Sequence, residues 1–172
     1  LRALNNMLEE NERKSQEELA DMALKLGADC PFFIYNSPMY GTGVGEKLTP
    51  IDLDLSGFWI AVIKPRIYIS TREAFAHIVP SPGNIDLRTL RRDNIEAWQG
   101  IVKNDFEDSI FPRHPELADI KNKLLRAGAV YASMSGSGSS VYGIFKDRGS
   151  ASDALRKFND STTIEGTYLL KL

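Results

Sequence analysis

Met134-Ser135-Gly136-Ser137-Gly138-Ser139-Ser140 lies between two apolar runs rich in β-formers, Val130-Tyr131-Ala132 and Val141-Tyr142-Gly143-Ile144-Phe145. A linker this short joins two such runs only if the chain turns back tightly, and Gly136 and Gly138 supply the positive φ values that such a turn needs. The serines and exposed amides then converge on one small space, which suits an anionic oxygen, above all a phosphate. A plain Ser/Gly hairpin accounts for the same residues, so the surrounding sequence has to decide.

The chain has 172 residues, enough for one domain, or a domain with an appendage, and a substantial core. Its net charge is -2, from 21 Lys+Arg against 23 Asp+Glu, which leaves no basic footprint for a nucleic acid and points to a small-molecule partner. Cys30 is the single cysteine, so no internal disulfide forms and a reducing compartment is compatible. Two histidines and Cys30 give no zinc-ligand spacing, and no metal site is expected. No apolar run approaches the ~20 residues of a membrane helix, and no signal-peptide pattern is present.

Leu1, Leu4, Met7 and Leu8 follow helical spacing with no cap before them, so the chain is expected to begin inside a larger element. Ser15 and Glu18 form a capping-box pattern, and Leu19, Met22, Ala23 and Leu26 read as the buried stripe of a helix ended by Gly27. Asp29 then stands between that helix end and an apolar run, Cys30 to Tyr35, that reads as a strand. It is either a turn-forming residue before Pro31 or an acid fixed from both sides, as a general base or cation-holding group requires. In Gly41-Thr42-Gly43-Val44-Gly45 the side chains on one face are removed, so either something approaches that backbone closely or the segment is a bulged hairpin.

Phe58 to Ile63 reads as a buried strand ended by Lys64-Pro65. Ser70 and Thr71 cap a short helix carrying Glu73, Ala74, Phe75 and Ile78, and Pro80 to Asn84 is a turn cluster. Asp86 to about Phe106 reads as helix, as does the segment from Pro115 to its stop at Gly128. Ser150 to Phe158 predicts another helix and Thr162 to Leu172 a last strand. Without the inserted helices the order from Phe58 is β, α, β, β, α, β. The expected fold is therefore α+β, a ferredoxin-like βαββαβ domain whose antiparallel sheet carries helices on one face.

Leu26-Gly27-Ala28-Asp29-Cys30-Pro31-Phe32-Phe33, Gly43-Val44-Gly45-Glu46-Lys47-Leu48-Thr49-Pro50, Ser70-Thr71 with Phe75, and Met134 to Tyr142 occur in the order and spacing of the GHMP kinases. The chain resembles that family over nearly its whole length. It is most similar to the branch that phosphorylates the 2-hydroxyl of a cytidine-diphosphate-linked methylerythritol in non-mevalonate isoprenoid synthesis. The resemblance implies a bacterial cytoplasmic enzyme using ATP and Mg2+, with residues 1–56 belonging to the family's amino-terminal kinase domain and 57–172 forming its carboxy-terminal domain. It implies that Asp29 stands near the accepting hydroxyl, as base or as electrostatic partner of a lysine. Phe75 matches the aromatic that packs on cytosine, with Thr71 close by and Val44 lining the same pocket. Ser135, Gly136, Ser137, Gly138 and Ser139 match the loop that supports the phosphate region, in keeping with a reaction that depends on positioning and charge neutralisation. For Phe75 alone, a core aromatic on an amphipathic helix is the competing explanation.

The family's glycine-rich nucleotide loop, the lysine beside Asp29 and the aromatic for the other face of cytosine do not occur in these residues. The resemblance therefore implies a carboxy-terminal part that transfers no phosphate alone, with ATP and Mg2+ bound largely upstream. Arg72 stands where the family often has proline. Rival readings are a non-catalytic ferredoxin-like module that binds a small effector, and a family member acting on homoserine or a mevalonate derivative.

Overall fold

A computed structural model describes residues 1–76, 78, 85–159 and 161–172 and divides the chain into two units, Leu1–Asp54 and Leu55–Leu172. The expected turn at Pro80 to Asn84 lies outside the described residues.

In the first unit a short helix α1 (Arg2–Asn6) leaves Leu1, Leu4, Met7 and Leu8 exposed. Helix α2 (Gln16–Leu24) starts at the capping box: Glu18 N donates to Ser15 Oγ at 3.2 Å and Ser15 N donates to Glu18 Oε2 at 2.8 Å. Its buried face is Leu19, Ala20 and Ala23, packed with Ile34; Met22 and Leu26, expected in the stripe, are exposed. Gly27 does not end the helix, which stops at Leu24 with Lys25 still right-handed.

The run after Asp29 is a helix, α3 (Cys30–Tyr35), and not the expected strand. Pro31 sits in the first turn, where its missing N–H costs nothing, and Pro31 and Ile34, three residues apart, share the buried side. Asn36 closes it in the left-handed region at φ 52°, its N–H bonded to Phe32 O. Strands β1 (Met39–Thr42) and β2 (Lys47–Pro50) follow as an antiparallel hairpin, with Met39 opposite Pro50 and Thr42 opposite Lys47.

The second unit runs β3 (Trp59–Pro65), α4 (Thr71–Phe75), α5 (Trp98–Ile101), α6 (Phe106–Ile110), α7 (Pro115–Arg126), β4 (Tyr131–Met134), β5 (Val141–Phe145), α8 (Arg148–Arg156) and β6 (Ile164–Lys171). The continuous helix expected from Asp86 to Phe106 is instead two 3-10 segments, Leu87–Thr89 and Arg92–Ala97, then α5, an extended Val102 and the start of α6. Side chains compete with the helix here. Asp86 takes the Arg88 N–H, and Asn94 Oδ1 takes both the Arg91 N–H and the Trp98 indole.

Strand order is β4-β5-β3-β6, every neighbour antiparallel. Central β3 alternates: Ala61 and Ile63 face the core with Leu117, Leu124, Val141, Phe145 and Ala151, while Ile60 and Val62 face the other way. Fully burying each large aliphatic or aromatic side chain stabilises by about 1.5–3 kcal/mol, so this one layer supplies most of the unit's cohesion. Pro115 opens α7 and Gly128, at φ 99°, follows its end, as expected. Helix α8 begins earlier than Ser150, because Asp147 is the cap and accepts the Ser150 N–H. No helix among the described residues is long and apolar enough to cross a membrane.

Candidate functional site

In the first unit, Asp29 occupies the N-cap position of α3 with its carboxylate exposed and making no capping bond. What approaches the glycine-rich backbone is this carboxylate. A Cβ on Gly45, which sits at φ 105°, would lie 2.7 Å from Asp29 Oδ1. A side chain there would meet the acid, so the glycine leaves the room in which the carboxylate stands. Val44 is on the same turn, 80% exposed. The turn is closed by Glu46, whose Oε2 accepts the Val44 N–H at 2.7 Å. Its own N–H and that of Val44 hold the Glu46 carboxyl below its ordinary range.

In the second unit, Ser70 caps α4 by accepting the Glu73 N–H at 3.1 Å. Thr71 and Phe75 are four residues apart and share one face. Phe75 is 60% exposed, so it is not the core aromatic that an amphipathic helix would suggest. Phe106 packs against it in a T-shaped pair, centroids 4.9 Å apart at 81°, and more than half of the Phe75 side chain remains exposed. Helix α4 is fixed from below by a Ser109 Oγ to Ala74 O bond of 3.5 Å and by His114 Nε2 against Glu73 Oε1 at 3.3 Å.

The Ser/Gly segment is the expected hairpin, with Ser135 N bonded to Ser140 O at 2.8 Å and Gly138 N to Ser135 O at 2.9 Å. Gly136 and Gly138 have φ of 53° and 90°. The hydroxyls do not all converge. Ser139 is buried, donates to Ile67 O at 2.6 Å and accepts from Lys64 Nζ at 3.0 Å, so it faces inward. Ser135 and Ser140 instead reach a groove of about 670 Å³ on the sheet face away from α7 and α8, which is lined chiefly by apolar residues such as Ile60, Val62, Trp98 and Ile144. On that face burial pushes the Tyr131 and Tyr142 hydroxyls up in pKa. The tip of the turn stays accessible, with Gly136 exposed in the left-handed region and Ser137 half-buried.

Sequence reasoning missed what braces this hairpin. Asn104 Nδ2 donates to Met134 O and to Gly136 O, both at 2.8 Å, while its Oδ1 accepts the Phe106 N–H at 3.0 Å. Glu107 is buried; its Oε1 accepts from Met134 N at 2.8 Å and Ser133 Oγ at 2.9 Å, and its Oε2 pairs with Lys121. Gln99 Oε1 accepts the Ala132 N–H at 2.8 Å. Together these side chains occupy the outer edge of β4, which would otherwise offer unpaired backbone groups. The available signal was an acid, Glu107, three residues before Ile110 and so on the apolar side of its helix. Among the described residues no three His, Cys, Asp or Glu side chains cluster as metal ligands.

Residues 83–162 match the family model described as GHMP kinases C terminal. A 4-diphosphocytidyl-2-C-methyl-D-erythritol kinase of Bacteroides thetaiotaomicron is 50% identical over 135 residues, covering 78% of this chain and 49% of that protein. The same-named kinase of Solidesulfovibrio magneticus is 39% identical over 170 residues, covering 94% of this chain and 57% of that one. A crystal structure of 4-(cytidine 5'-diphospho)-2C-methyl-D-erythritol kinase superposes with a TM-score of 0.67 at 27% identity, covering 88% of this chain and 55% of that one. The chain thus spans about half the length of the curated relatives it matches.

Proposed function

We infer that the chain belongs to the GHMP kinases, and from that premise we propose that its protein uses ATP to phosphorylate the 2-hydroxyl of 4-diphosphocytidyl-2-C-methyl-D-erythritol, a step of non-mevalonate isoprenoid synthesis. We read Leu55–Leu172 as the family's ferredoxin-like carboxy-terminal domain, a reading that the β4-β5-β3-β6 order supports, and the residues before it as part of the amino-terminal kinase domain.

The observation that carries the substrate assignment is Phe75. An exposed ring, packed in a T-shaped pair with Phe106 and one turn beyond Thr71, stands at the position where the family stacks cytosine. Base stacking on such a ring contributes about 1–3 kcal/mol. Asp29, which lies against Gly45, receives the proton of the accepting hydroxyl as the hydroxyl oxygen attacks the γ-phosphorus and the bond to ADP breaks, or serves as electrostatic partner to a lysine in that role. Val44 lines the substrate pocket. The Ser135 to Ser139 turn supports the phosphate region with the amides at its tip, while Ser139 does so from inside, through Ile67 and Lys64.

Among the described residues no three His, Cys, Asp or Glu side chains cluster, and in this reading the metal and most of the triphosphate contacts lie outside these 172 residues. The relatives are kinases, which disfavours a non-catalytic effector-binding module. The test is turnover by the purified full-length protein with ATP and, in parallel, the cytidine-linked substrate, homoserine and a mevalonate derivative. The cytidine-linked alcohol should be preferred by about 10²-fold or more in kcat/KM. A preference for either of the others would contradict the assignment.

A further inference from the structure

Two chains of contacts run from the Ser/Gly hairpin to the helix that carries Phe75. On one side Asn104 donates both its amide hydrogens to hairpin carbonyls, Met134 O and Gly136 O, and accepts the N–H of Phe106, whose ring is the neighbour of Phe75 at 4.9 Å. On the other side Ser139 donates to Ile67 O, and Gly138 lies so close to Ile69 that an added Cβ would be 3.0 Å from its Cδ1. Ile69 precedes Ser70, the cap of α4. The hairpin and the Phe75 helix are thus the two ends of a closed ring of contacts. In that ring Asn104 has no spare donor, since each hydrogen of its NH2 group already has a carbonyl.

We propose that Asn104 is a positioning residue that fixes the spacing between the hairpin and the Phe75 ring, and so between the phosphate-supporting and base-holding parts of the site. This rests on the kinase reading above. Its side chain touches neither a base stacked on Phe75 nor a phosphate at the turn tip. It acts through Phe106 and through the carbonyls of Met134 and Gly136.

The test uses two variants of the full-length protein. Asn104→Asp keeps the size of the side chain and the acceptor for Phe106 N but loses the two donors; Asn104→Ala loses all three bonds. In both, kcat for the cytidine-linked substrate should fall by about tenfold or more, since small misplacements are costly, while its KM stays within about threefold. Backbone hydrogen exchange should accelerate together in residues 70–76 and 135–140 by roughly tenfold. If Asn104→Ala fails to fold, the aspartate variant decides alone. Faster exchange in 135–140 with wild-type exchange in 70–76 overturns the proposal, as does a KM rise matching the whole loss of kcat/KM. A wild-type protein without kinase activity on this substrate would remove the functional reading and, with it, the catalytic role of the spacing. The exchange data would still decide whether Asn104 couples the two segments.

Discussion

The turn at Gly43 to Glu46 is closed by residues within it, whereas the turn at Ser135 to Ser140, closed by its own backbone bonds, is also braced by groups from elsewhere in its unit. In the first, the Glu46 carboxylate accepts the Val44 N–H two residues back, and Asp29 lies against Gly45. In the second, Asn104, Glu107, Lys64 and Ile67 each reach the hairpin or the strand leading into it from 26 to 75 positions away. A locally closed turn is cheap to form and leaves its surface free to hold one acid in place. A remotely braced turn ties its own geometry to that of another part of the site.

Removing the remote bracing should cost most. Glu107→Ala leaves the half-buried Lys121 without its carboxylate partner and the Met134 N–H without an acceptor, and should destabilise the protein by about 3 kcal/mol in denaturant unfolding. A loss well under about 1 kcal/mol would show that the brace is dispensable. Next comes the pair Gly138→Ala and Gly136→Ala. A Cβ on Gly138 would meet Met134 Sδ at 2.8 Å and Ile69 Cδ1 at 3.0 Å, whereas one on Gly136 meets open space. The first should cost about 2 kcal/mol and the second about 1 kcal/mol from its positive φ alone. Equal costs would mean that the packing around Gly138 gives way.

The smallest effect belongs to the self-closed turn. Because backbone N–H groups hold Glu46 below its ordinary value of 4.5, the stability it lends is present above that value and lost as pH falls through its lowered folded value. A carboxyl titration followed by NMR should therefore place the Glu46 midpoint below 4.5. A midpoint at or above it would break the closure.

What was legible in the sequence was local. The capping box at Ser15 and Glu18, the Ser70 cap, the Pro115 start and the Ser/Gly hairpin each depend on residues within a few positions of one another. The six residues after Asp29 were misread because a short apolar run fits strand and helix alike, and the deciding facts, the placement of Pro31 in a first turn and the left-handed Asn36, are geometric. The segment from Asp86 to Phe106 has helical spacing of its apolar residues, but the side chains of Asp86 and Asn94 capture the backbone and indole donors that a helix would order. The partners of Asn104 and Glu107 could not be read from the sequence, since those on β4 and the hairpin are 26 to 32 positions away; only the placement of Glu107 three residues before Ile110 hinted at a buried acid. The family resemblance pointed to Asp29 and Phe75, and the structure adds what stands beside each: Gly45 against the carboxylate and Phe106 against the ring.

The most direct measurement is a steady-state comparison of Asp29→Asn and Phe75→Ala in the full-length protein, with ATP and 4-diphosphocytidyl-2-C-methyl-D-erythritol. The account predicts a split. Asp29→Asn should lower kcat by about 10²–10⁴-fold with substrate KM largely kept, and Phe75→Ala should raise KM by about tenfold or more with kcat largely kept. Wild-type kinetics in both variants would contradict it.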